Sequence, residues 1–127
     1  MTRTVRWLLS LEAAAFCAAA LVHRGVLLNG YEHWKAATAE STIALVLLAG
    51  VAATIVAPGA SRGAGLVVQG FALLGTLVGL FTIAVGIGPR TAPDLVFHAG
   101  VIVVLACGLF VTARGGTRAL LHEGGAR

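Results

Sequence analysis

The sequence predicts an all-α integral membrane protein, a four-transmembrane-helix antiparallel bundle with short loops and both termini cytoplasmic. Three observations predict it. Four long apolar stretches, Trp7–Leu28, Ala39–Val56, Gly65–Ile87 and Leu95–Ala113, fill most of the 127 residues. The chain is 58% hydrophobic and 11% charged, where a water-soluble domain carries roughly 25% charged residues. Each stretch also has the length, about 17–25 residues, that crosses about 30 Å of hydrocarbon at 1.5 Å per residue. Spans are expected at about 5–28, 38–57, 64–87 and 94–113, and these leave no room for a soluble domain.

The first helix is expected from about Thr4 to Leu28, with Asn29-Gly30 as its stop and turn. Asn29 and Glu32 have capping-box spacing for a second helix, whose opening turns Tyr31-Glu-His-Trp-Lys would lie at headgroup level. Pro58-Gly59-Ala60-Ser61 makes the next turn. The third helix is glycine-rich, and Gly75-x-x-x-Gly79 is a small-residue seam for packing within the bundle or for a homodimer. Gly86-Ile-Gly88-Pro89 ends it. Thr91 and Asp94 then have capping-box spacing at the start of the fourth helix, with Pro93 in its first turn. The tail from Arg114 onward is polar and Gly-rich, hence expected to be loose.

The net charge of +4 does not indicate nucleic-acid binding, because the basic residues cluster at span ends. Arg3, Arg6, Arg62, Arg114, Arg118 and Arg127 lie on one side of a four-span zigzag, and Arg24, Lys35 and Arg90 on the other. The excess puts both termini on the cytoplasmic side of the inner (plasma) membrane. The start of the chain resembles a signal peptide, but Glu12 interrupts its apolar run and argues against cleavage. Cys17 and Cys107 form no CxxC pair and are expected to be buried free thiols packing as small hydrophobes.

Charged groups in hydrocarbon cost about 2.5–3.5 kcal/mol each on insertion scales, so the ionisable residues of the spans carry the functional signal. His23 lies seventeen residues beyond Arg6, Glu40 eighteen before Pro58, and His98 sixteen before Arg114. All three reach about 25 Å from the inner boundary at 1.5 Å per residue, one shared layer near the outer leaflet. Asp94 lies one turn from His98, and His33 two turns from Glu40. Two imidazoles and a carboxylate can hold a transition metal, with Asp94 orienting His98 from behind. His23 and His98 can alternatively ligate a b-type haem. The plainer alternative is that Asp94 and Glu32 are helix caps, while His23 bonds Glu40 and fixes packing. The leading expectation is a non-hydrolytic binding site for a metal, a proton or a small polar ligand, with His23, Glu40 and His98 at its centre. Neither a Ser/His/Asp arrangement nor a nucleotide loop is present to suggest hydrolysis. A further expectation, an accessory subunit, has the third helix packing on a larger membrane complex.

A second polar layer lies nearer the cytoplasm. Glu12 is six residues past Arg6 and Gln69 seven past Arg62, so their heights match. A four-span chain with Leu11-Glu12-Ala13 early in its first helix resembles the small multidrug resistance transporters. That resemblance implies a homodimeric, proton-coupled exporter centred on Glu12. The sequence departs from the family's pattern in its third span, which has Phe71 and Phe81 but no Trp or Tyr, and in the outer His/Glu layer.

Overall fold

The computed structural model describes residues 1–115, so the tail with Arg118 and Arg127 lies outside the described residues. Four α-helices follow one another: α1 (Thr2–His23), α2 (Trp34–Val56), α3 (Ser61–Ala84) and α4 (Ala92–Arg114). A single turn of 3₁₀ helix, Pro58–Ala60, joins α2 to α3, and no strand occurs among the described residues. All four helices are long and apolar enough to cross a membrane.

The helices alternate in direction. Met1 meets Gly115, Thr2 donates to the Pro58 carbonyl, and Arg62 donates to the Ala113 carbonyl, all at what we call the terminal end. Loops 24–33 and 85–91 form the distal end. α1 packs most extensively on α2 and α3 on α4, and α1 also touches both α3 and α4. Leu9, Phe16, Leu47, Ala72 and Leu105 lie at the centre of an apolar core. The outward surface is equally apolar, as Trp7 (72% exposed), Leu45, Val67 and Val96 illustrate. A water-soluble protein rarely shows so large a hydrophobic surface.

The distal boundaries correct two expectations. α1 stops at His23 rather than Leu28, because Gly25 takes φ +71°, a conformation other residues adopt at a cost. Its N–H bonds the Val22 carbonyl (2.9 Å) while the Val26 N–H reaches back to Leu21 (2.9 Å). These are the two bonds of a Schellman stop. α3 ends in the same way at Gly86, φ +84°, with bonds from Gly86 to Ile83 and from Ile87 to Thr82. α2 begins at Trp34, not at Tyr31, and its N-cap is His33, whose Nδ1 accepts from Ala36 N–H at 3.2 Å. Glu32 instead accepts from Gly30 N–H within the loop. Hydrogen bonds from its own N–H and from Gly30 hold this exposed carboxyl below the usual carboxylate range. The capping box at Thr91 and Asp94 forms as expected.

The small-residue seam serves packing inside the bundle. Gly75 leaves room for Ile43 of α2, and Gly79 leaves room for the His98 ring of α4. The cysteines correct another expectation: both are free, but Cys17 and Cys107 face outward, on the exposed sides of α1 and α4.

Candidate functional site

Elements at the distal end bring three buried ionisable side chains into contact. The last residue of α1 is His23, and the His33 N–H bonds its carbonyl at 2.8 Å, closing the 24–33 loop and setting α2 against α1. Glu40 then falls opposite the imidazole. His23 Nδ1 lies 2.8 Å from Glu40 Oε2, and His23 Nε2 lies 3.0 Å from Asp94 Oδ1. Asp94 has two tasks, because its other oxygen accepts from the Thr91 N–H (3.2 Å) and hydroxyl (2.5 Å) and so caps α4. All three side chains are buried.

The protons of this cluster can be counted. Each close N···O contact needs one proton between its atoms, so the three groups share at least two. Two carboxylates flanking an imidazole protonated on both nitrogens sum to a charge of −1. Asp94 is fully engaged, whereas Glu40 Oε1 is bonded to no described residue. It is not walled off either, since Glu12 Oε2 is the one unpartnered side-chain atom among the described residues that is also fully enclosed. A further proton therefore has one open place to bind in the triad, Glu40 Oε1.

His98 does not join the triad. Its Nδ1 lies 2.7 Å from the Asp94 backbone carbonyl, which only accepts, so Nδ1 carries a hydrogen and neutral His98 presents Nε2 as an acceptor. His33 stands beside the triad, its ring centroid 6.4 Å from that of His23, with Nδ1 committed to capping α2. The residues do not fit a metal centre: among the described residues no three His, Cys, Asp or Glu side chains are placed to hold an ion. His23, Glu40 and His98 fail as a ligand set because both His23 nitrogens already face carboxylates. The same commitment leaves no nitrogen of His23 to ligate a haem iron.

Two cavities flank the triad. One, of about 200 Å³, lies among α2, α3 and α4 and is lined by Glu40, His98, Thr76, Thr82, His33 and Lys35 together with apolar residues such as Phe16 and Phe97. The second, of about 360 Å³, lies between α1 and α4, over Ala15, Ala18 and Ala19, and reaches His23, Asp94 and Tyr31. The ring of Phe97 lines both.

Toward the terminal end is the second polar cluster. Gln69 Nε2 donates to Glu12 Oε1 at 2.7 Å, and the Thr112 hydroxyl donates to Gln69 Oε1 at 3.0 Å. All three residues are 0% exposed, and Glu12 Oε2 has no partner. Gly108 makes the space, because a Cβ there would collide with Glu12 Oε1 and Gln69 Nε2. Below it, Arg6 donates to the Thr54 hydroxyl (3.0 Å) and carbonyl (2.9 Å).

The structure thus joins His23 to Glu40, as their matched heights allow, and Glu12 to Gln69. It takes Asp94 across to His23, whereas sequence spacing pairs it with His98. Reading the sequence missed Thr112, Gly108 and both cavities. Thr112 is 43 residues from Gln69, and no local pattern links the two. No protein-family model, curated protein or solved structure matches this chain.

Proposed function

We propose that this is a small multi-pass membrane protein that binds protons and a small polar ligand at the outward end of its bundle, without hydrolysis. The observation that carries the reading is the His23 imidazole held between two buried carboxylates, one of which keeps an oxygen open to a cavity. Buried ionisable groups in a membrane span are costly and are usually tied to function. With two protons this cluster carries a net negative charge and has one proton-accepting atom to spare. The orientation rests on charge: Arg3, Arg6, Arg62 and Arg114 mark the terminal end as cytoplasmic, with Arg118 and Arg127 following in sequence. Trp34 is exposed beneath the Arg24 guanidinium at the distal end (5.8 Å), a pairing suited to the opposite headgroup layer.

Proton counting tests this reading. Between mildly alkaline and mildly acid pH the wild-type protein in detergent should take up one proton more than Glu40→Gln. Superimposable titrations would overturn the proposal.

A second reading has one observation behind it, the enclosed and unpartnered Glu12 Oε2. A carboxyl in this position suits a proton-coupled exporter of the kind the small multidrug resistance resemblance implies. Undiminished transport by Glu12→Gln in proteoliposomes would eliminate it.

A further inference from the structure

We infer that the 200 Å³ distal cavity binds an uncharged, ring-sized and largely apolar molecule that carries a hydroxyl group. The inference rests on the ligand-binding reading above and names the class of ligand taken by that same site. The cavity owes its room to α3. Gly75, Val78, Gly79 and Thr82 line it at helical spacing, so two of the four positions on this face project no side chain. Ile43 of α2 comes against Gly75 and the His98 ring of α4 against Gly79, and the cavity is the space they leave. A dry cavity of about 150 Å³ holds benzene, so this one suits a benzene ring with roughly one or two further heavy atoms.

The lining polarity sets the charge of the ligand, because donors and acceptors are both present. The Thr76 hydroxyl donates to the Ala72 carbonyl (2.8 Å) and the Thr82 hydroxyl to the Gly79 carbonyl (2.7 Å), so each has lone pairs left to accept. Neutral His98, with its hydrogen on Nδ1, accepts at Nε2. The donors are at the start of α2: the Lys35 ammonium, and His33, whose Nδ1 accepts from Ala36 N–H so that Nε2 holds the hydrogen. Charges are mixed in the same way, with Glu40 and Lys35 in one lining. Neither is a free counter-ion. Glu40 Oε2 is engaged by His23 Nδ1 at 2.8 Å, and Lys35 is exposed, where water and salt screen it. An ion of either sign would give up its hydration for a mostly apolar chamber with no partner of its own, and would meet a like-signed group on the wall. A hydroxyl escapes both costs, since it donates to one lining group and accepts from another. The remaining walls, including Phe16, Ile43, Ile83 and Phe97, cover an apolar ring.

Equilibrium dialysis of the full chain in detergent with benzyl alcohol, toluene, benzylammonium and benzoate tests this. Each is scored by its preference for protein-containing over protein-free micelles, so that partition into detergent cancels. We expect the preference for benzyl alcohol to exceed each of the other three by at least about fivefold, the worth of one net hydrogen bond. Val78→Phe, which fills the cavity from α3, should abolish it. No preference for the alcohol, an equal or greater preference for toluene or for either ion, or indifference to Val78→Phe would overturn the inference. The proton count separates the two levels of the argument. A proton lost in Glu40→Gln without alcohol binding in the wild type would sink the ligand and leave the proton site standing. Superimposable titrations with alcohol binding intact would sink the proton site and leave the ligand.

Discussion

At the distal end, two carboxyl groups share one imidazole; toward the terminal end, Glu12 has only the amide of Gln69. In the distal cluster both nitrogens of His23 are engaged, and cavities lie on both sides of it. The Glu12 cluster is enclosed and neutral apart from its acid, and it leaves one oxygen bare. Burying an acid is costly in either place. The distal acids are compensated by the His23 imidazole between them and by Thr91. The Glu12 cluster is compensated by dipoles, and by a glycine that lets α4 come close. The first arrangement leaves a carboxyl oxygen unbonded beside a cavity, whereas the second is enclosed.

Substitutions can break this contrast. The largest effect is expected from Gly108→Ala, whose methyl group would push Glu12 away from Gln69. Overpacking together with a broken buried hydrogen bond should cost about 4 kcal/mol, read from denaturant unfolding in detergent. Asp94→Ala should cost about 3 kcal/mol, because it removes the Asp94 half of the α4 capping box and leaves a buried His23 nitrogen without a partner. Asp94→Asn retains a side-chain acceptor and should lose distinctly less, so the gap between the two variants measures the Asp94 hydrogen bonds to Thr91 and His23 together. The smallest effect is expected from Glu12→Gln, a neutral isostere that can still accept from Gln69, with stability within about 1 kcal/mol of wild type. A large loss there would mean that the fold depends on the Glu12 carboxyl itself rather than on its shape.

Much of the scaffold was legible in the chain. Long apolar runs can only be helices where lipid offers no hydrogen bonds, and Thr91 with Asp94 and Pro93 marks a helix start through local chemistry. Matched distances from the basic anchors placed His23 level with Glu40, and Glu12 level with Gln69. Height is a one-dimensional quantity, though. It could not tell that Cys17 and Cys107 face outward, or that His98 turns toward Gly79. The end of α1 was misplaced because two Gly-containing stops compete within six residues, and Gly25 takes the left-handed turn first. Gly30 also has positive φ, but it shapes the loop rather than the helix end.

Composition and long apolar runs alone therefore determined that this chain forms four membrane-length helices with scarce ionisable groups at two levels. Those properties depend on length and solvent, which the order of residues encodes directly. Tertiary packing decided which groups meet: His23 between Glu40 and Asp94, Thr112 behind Gln69, and a cavity beside Glu40. The rotation of each helix about its axis sets those contacts, and Gly75, Gly79 and Gly108 leave the room that the side chains of Ile43, His98, Glu12 and Gln69 occupy.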